Sequence, residues 1–190
     1  MELNAIISSC KNKSLKDQKT LYEYTYQELF HVSLRYTNCG HDAEEVFNLA
    51  MLKIFRHIIE DQSEIKNYLG FCTNIIRLTA IDQYRSKLSP VLYNTDALYE
   101  NNQDLYFDNS FSNLDVEDIF KFIQNLPDKE RIVFSMFEID GFSHREIANE
   151  LNINENYSKW LLHNAKKILK EKLSLDEIKS FSKWRHLKIK

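Results

Sequence analysis

Glycine and proline are scarce, at 3 and 2 in 190 residues. Sheet-rich folds need turn formers in number, so the shortage points to helices joined by few connections. Three glycines also leave no room for a Gly-rich phosphate loop. Cys10, Cys39 and Cys72 stand far apart, without metal-ligand spacing. Their odd number suggests no disulfide framework, so they read as reduced thiols. No apolar run approaches the roughly 20 residues that cross a bilayer. Met1 to Thr20 carries no cleavage signal, so the expected location is cytoplasmic. His31 and His41 are isolated, and no nucleophile sits near a base in a recognisable pattern. The expectation is therefore no enzyme, no metal, no cofactor and no small-molecule substrate. An excess of basic charge is missing too: the formal net charge is -3 and the pI about 6.1. That counts weakly against autonomous nucleic-acid binding.

What is present suits a helical globular protein. Hydrophobic residues make up 43 %, with 10 Tyr and 12 Phe as core material. A first block runs over 15–88. Leu21, Tyr24, Leu29, Val32, Leu34 and Tyr36 recur at near-helical spacing before Asn38-Cys39-Gly40 breaks the pattern. Asp42 is placed to cap a second helix, with Glu44 and Glu45 in its first turn, where the helix dipole favours anions. Val46, Phe47, Ala50, Met51, Ile54 and Phe55 give it an apolar stripe. A third helix is expected from about Ile65 to Arg85. Over 89–117 the character changes: Asp and Glu are frequent, and no Lys or Arg occurs between Lys87 and Lys121. This reads as an acidic, flexible linker, long enough to separate two domains. A second block covers 118–175, and 176–190 forms a basic tail.

The sharpest local signal follows Gly141. Ser143-His144-Arg145-Glu146 is a capping box, in which serine and glutamate each satisfy a free backbone amide of the other. Ile147, Ala148 and Leu151 make a short apolar face, and Asn154 caps the next helix after a tight turn. Leu162, Ala165 and Leu169 continue the apolar side, with Ser158 one turn earlier. A short helix, a turn and a longer helix make a helix-turn-helix. Its outer side shows Asn156, Tyr157, Lys159, Trp160, His163, Asn164 and Lys167, where amides can read base edges and cations can hold phosphates.

Several of these segments resemble the extracytoplasmic-function (ECF) group of sigma-70 factors. Leu126-Pro127-Asp128-Lys129-Glu130-Arg131 is similar to the family's LPxxxR opening. Gly141 to Ala148 is similar to its G(Y/F)SxxEIA turn and helix, and Ile153-Asn154-Glu155 with Ser158-Lys159 to the start of its recognition helix. Asp42 to Asn48 resembles the DAEDLVQ helix, and Ala80 to Arg85 the AIDxxR ending of the DNA-melting helix. The chain departs from the pattern with Glu45, Asn48, Leu78, Tyr157 and Asn164, the last replacing a common arginine.

The resemblance implies an all-α protein of two small domains, sigma region 2 and sigma region 4, that carries core RNA polymerase to promoters. Asp42, Glu44, Glu45, Asn48, Lys53 and Arg56 would face the clamp of the largest polymerase subunit. The flap of the second-largest subunit is a further implied contact. Lys66, Asn67, Asn74, Arg77, Asp82 and Arg85 would serve the minus-ten element, with Asp82 able to pair with Arg85. Asn156, Tyr157, Lys159, Trp160, His163, Asn164 and Lys167 would serve the minus-thirty-five element. Promoter DNA and an anti-sigma factor are the other implied partners. Two competing readings are an autonomous helix-turn-helix regulator, which predicts a palindromic site without polymerase, and a helical adaptor for proteins alone.

Overall fold

The protein is described by a computed structural model that covers residues 3–11, 14–61, 65–88 and 121–172. The acidic stretch and the basic tail expected from the sequence lie outside the described residues. Among these residues no strand occurs, and the fold is all-α.

The first block is a four-helix bundle: α1 (Leu3–Lys11), α2 (Leu15–Tyr36), α3 (Gly40–Glu60) and α4 (Tyr68–Leu88). Helices α2, α3 and α4 all pack on one another, and α1 lies against α2 and α3. Ile7 and Cys10 of α1 are buried, so the bundle begins ahead of the Leu15 start expected from the sequence. Of the expected apolar stripe of α3, Val46, Phe47, Ala50, Met51 and Ile54 are buried in the core and Phe55 is half-buried, while Ile58, one turn beyond Ile54, is buried with them. Phe47 takes the edges of three α2 rings, Tyr22, Tyr26 and Phe30, at centroid distances of 5.6, 5.3 and 5.9 Å. Edge-to-face geometry brings the positive ring rim to the negative ring face and adds to the area term.

The caps explain where the helices begin. Asp42 was expected to cap α3, but it lies inside the first turn. The cap is Cys39, whose Sγ accepts the Asp42 amide at 3.5 Å, because the chain is extended at Cys39 and already helical from Gly40. Ahead of α4, Asn67 accepts twice: its Oδ1 from the Gly70 amide at 3.0 Å and its carbonyl from the Phe71 amide at 3.0 Å. A Cβ on Gly70 would meet the Asn67 side-chain nitrogen at 2.8 Å. Gly70→Ala is expected to displace that cap and to cost about 1 kcal/mol, a typical cap loss. Thermal melts of the two proteins would measure it.

The second block opens with helical residues 121–124, then α5 (Asp128–Phe134), which runs without interruption into a π-helical turn (Ser135–Ile139). It closes with α6 (His144–Leu151) and α7 (Glu155–Lys172). Helix α7 packs on α5 and α6. Gly141 has φ +80, a left-handed conformation that favours glycine, between the π turn and the α6 cap. The expected capping box is present: Ser143 Oγ accepts the Glu146 amide, and Glu146 Oε2 accepts the Ser143 amide at 2.8 Å. Asn154 caps α7, its Oδ1 accepting the Tyr157 amide at 2.7 Å.

Candidate docking and nucleic-acid interfaces

Helix α3 presents one outward face. Glu44, Glu45, Asn48, Lys53 and Arg56 are all exposed there, as expected from the sequence. Asp42 is not part of that face, because its carboxylate accepts the Lys87 ammonium of α4 at 3.0 Å. Lys53 reaches across to Asp82 of α4 at 3.5 Å. Two leucines that sequence reasoning missed stand among these polar groups, Leu49 at 38 % and Leu52 at 64 % exposure. Glu45, Leu49, Leu52 and Arg56 recur at spacings of four, three and four, one stripe of a helix. Exposed leucines inside a charged rim are the composition of a protein-docking surface. The wheel spacing was available in the sequence; the missing signal was which face α2 and α4 cover. Behind the stripe, the Tyr22 hydroxyl donates to Asn48 Oδ1 at 2.8 Å and fixes that amide.

The expected minus-ten residues divide into two sets. Lys66, Asn67, Asn74, Asp82 and Arg85 are exposed on α4 and the segment before it. Asp82 pairs with Arg85 at 3.6 Å, three residues on, as the sequence suggested. Arg77, expected to hold a phosphate, is only 6 % exposed. It is held by Asn74 Oδ1, and its guanidinium carbon lies 4.0 Å from the centroid of the Phe142 ring. Phe142 belongs to the second block, so Arg77 is covered by the other half of the chain.

On α7, Asn156, Lys159, Trp160, His163 and Lys167 are exposed. Positions 156, 160, 163 and 167 follow the helical repeat and form one solvent-facing row. Trp160 keeps 54 % of its surface exposed and stacks on Tyr157 with centroids 5.8 Å apart. Tyr157 is half-buried, with the Lys129 ammonium 5.7 Å from its ring centroid. Lys159 pairs with Glu155 at 2.8 Å, and this contact holds the Glu155 carboxyl below its ordinary pKa. Asn164 departs from expectation. Its amide nitrogen donates to Glu130 Oε1 at 2.7 Å, so it ties the helix to α5 rather than joining the outer row. The arginine common at that position in the family has no counterpart on the row.

The inner side of α7 sets the angle of the helix-turn-helix. Ser158, fully buried, shares a hydrogen bond with His144 Nδ1 at 2.9 Å. The His144 ring stacks on Phe137 at 4.4 Å. Burial, with the Lys159 charge second, lowers the His144 pKa. The neutral ring is therefore favoured at the crossing of α6 and α7.

The two halves of the chain match two family models, sigma-70 region 2 over residues 21–88 and sigma-70 region 4 over residues 117–169. The chain belongs to the sigma-70 family. It is a sigma factor, and its place is in transcription initiation. The bundle α2 to α4 is its region 2, and α5 to α7 with the π turn are its region 4. Among solved structures it is similar to the sigma factor RpoE in complex with the anti-sigma factor NepR from Bartonella quintana. The TM-score is 0.51 at 20 % identity, over 85 % of this sigma factor and 99 % of that chain. At that identity the likeness is one of fold. No curated protein matches the chain. Among the described residues, no helix of the sigma factor is long and apolar enough to cross a membrane.

Proposed function

We propose that the protein is an ECF-type alternative sigma factor of the cytoplasm, one that performs no covalent chemistry. Region 2 docks on the clamp of the largest polymerase subunit through the α3 face, with Leu49 and Leu52 central and Glu44, Glu45, Asn48, Lys53 and Arg56 around them. Helix α4 and the segment before it serve the minus-ten element through Lys66, Asn67, Asn74 and Arg85. Region 4 meets the flap of the second-largest subunit and lays α7 in the major groove of the minus-thirty-five element. An anti-sigma factor is a further partner, as the RpoE–NepR complex shows for that relative.

The observation that carries this reading is the pairing, in one chain, of an apolar-centred docking face on α3 with an outward row on α7. An autonomous regulator needs the second and would use the first only to pair with its own copy on a palindromic site. The mild net charge of -3 fits the same picture. Most DNA affinity comes from neutralised phosphates, and a factor that acts within the polymerase holoenzyme needs few of its own.

Transcription by purified core polymerase on a library of promoter fragments tests the reading. New start sites that depend on the protein are the expected result. Failure to bind core, together with sequence-specific binding to a palindromic site by the protein alone, would favour the autonomous regulator. Trp160 presents a flat apolar surface, suited to a thymine methyl or a sugar rather than to hydrogen-bond readout. Trp160→Ala is expected to weaken use of the minus-thirty-five element about tenfold, equivalent to about 1.4 kcal/mol, with little change at promoters that rely on the minus-ten element alone. Run-off transcription from matched promoter pairs would show the difference.

A further inference from the structure

One hydrogen bond ties the docking face of α3 to α2. The Tyr22 hydroxyl donates to Asn48 Oδ1 at 2.8 Å, between residues 26 apart in sequence. The Tyr22 ring is held in a packed column. It stacks on Tyr26 with centroids 6.2 Å apart, and Tyr26 stacks on Phe30 at 4.5 Å. These three residues recur every four positions and form a ladder along α2. Each ring also meets Phe47 of α3, which is fully buried. The phenolic oxygen thus stands at the end of an aromatic ladder whose place is set by the core. Burial first, then the neighbouring Tyr26 and Glu44, raise the Tyr22 pKa above the ordinary tyrosine value. The hydroxyl keeps its proton and remains a donor at neutral pH.

Asn48 is exposed, with Glu44 and Glu45 one turn before it and Leu52 one turn after. An exposed asparagine samples several rotamers and either orientation of its amide. The bond from Tyr22 selects one of them. With Oδ1 taken by the phenol, Nδ2 lies on the other branch of the planar amide and carries two hydrogens for a partner. The α3 face therefore displays a fixed donor next to its exposed leucines. Apolar anchors supply most of the affinity of an interface, and a polar group held in place supplies its register.

Stability gives the bond no comparable purpose. It lies at the surface, where water can satisfy either partner, so its net contribution to folding is small. The contact of α2 with α3 is already secured by Phe47 and the three rings around it.

We infer, on the docking reading above, that Tyr22 is a positioning residue for polymerase: it holds the Asn48 amide so that Nδ2 donates to an oxygen acceptor, a backbone carbonyl or a carboxylate, on the clamp of the largest subunit. Ordering a side chain on binding weakens an interface, and an amide ordered beforehand escapes that loss. Tyr22→Phe keeps the ring ladder and deletes only the donor. Titration of the labelled full-length protein with core polymerase is expected to show about fivefold weaker binding, the effect of freeing one ordered side chain. The thermal midpoint should stay with the parent's. Asn48→Ala removes the amide itself and is expected to weaken binding about tenfold, the loss of one well-placed hydrogen bond. In the Asn48→Ala background, Tyr22→Phe should change nothing further, a coupling that a merely structural tyrosine would not show. Unchanged binding by either single variant overturns the inference, as does an equal loss from Tyr22→Phe with and without Asn48. Leu52→Glu separates this outcome from failure of the docking reading. If Leu52→Glu loses core binding while Tyr22→Phe keeps it, the docking face stands and the positioning role falls. If Leu52→Glu binds like the parent, or the parent itself does not bind core, the docking reading falls and the role of Tyr22 with it.

Discussion

A charge at the centre of the α3 face is expected to abolish useful polymerase binding while sparing the fold. Leu52 is 64 % exposed on a helix whose opposite side is the core of region 2. Leu52→Glu substitutes a good helix former at a surface position, and a change of that kind usually stays within about 0.5 kcal/mol of stability. The new carboxylate also stands four residues before Arg56, a favourable helical pair. Against a protein partner the balance is reversed. A central apolar anchor contributes about 2 kcal/mol or more to an interface, and a carboxylate in its place must be desolvated without a partner. The dissociation constant for core polymerase is expected to rise thirtyfold or more. Fluorescence anisotropy of labelled protein titrated with core would measure it, with circular dichroism as the control for folding. An unchanged constant would place the docking surface elsewhere. Because Leu49 is the neighbouring leucine of the same stripe, Leu49→Glu should act in the same direction, with a smaller effect at its lower exposure of 38 %.

Most of the architecture was legible because it is written in local chemistry. The scarcity of glycine and proline, the apolar stripe of α3 and the capping box at Ser143 each depend on residues within a few positions of one another. The structure contains all of them. The outer row of α7 was legible for the same reason. The readings that went astray depended on residues remote in sequence. Asn164 looks outward on a helical wheel, and only the position of Glu130, 34 residues away, turns it inward. Arg77 looks like a phosphate ligand until Phe142 closes over it. Nothing near Asp42 in the sequence says that Lys87 will claim its carboxylate. Leu49 and Leu52 stayed hidden for the converse reason: an apolar residue on an amphipathic helix is assigned to the core by default. Their exposure follows only from which sides of α3 are already covered by α2 and α4. The contact between regions 2 and 4 has no local signature at all, since Arg35, Tyr36 and Asp140 are ordinary residues until the chain brings the Asp140 carboxylate to Arg35 at 3.1 Å and to the Tyr36 hydroxyl at 2.6 Å.

The largest loss of stability is expected at Arg131, the last residue of the LPxxxR motif. The motif is a folding device. Leu126 is buried in the core, and Pro127, with φ -54, stands at the head of α5. Arg131, one turn in, points back along the helix. Its Nη1 donates to the carbonyls of Gln124 and Leu126, both at 3.0 Å, and its Nη2 pairs with Asp128. Burial lowers the Arg131 pKa, and the Asp128 charge opposes that shift. The guanidinium thus closes the turn between residues 121–124 and α5, and its side chain is 3 % exposed. Arg131→Ala would leave two carbonyls short of a donor and a void beside the core. Asp128 is 49 % exposed, so most of the loss comes from the two carbonyls, at about 1 to 3 kcal/mol for each one left unsatisfied. That is a large share of the stability of a domain this small. Lysine is a poor substitute, because one ammonium cannot reproduce a fork that serves two carbonyls and a carboxylate. Chemical denaturation monitored by circular dichroism should show region 4 unfolding first in both variants, with region 2 retained. Since α5 carries Glu130, which holds Asn164 of α7, promoters that depend on the minus-thirty-five element should fall silent, while binding to core through α3 persists. Equal loss of both activities would mean instead that the two regions fold as one cooperative unit, held together by the seam at Asp140.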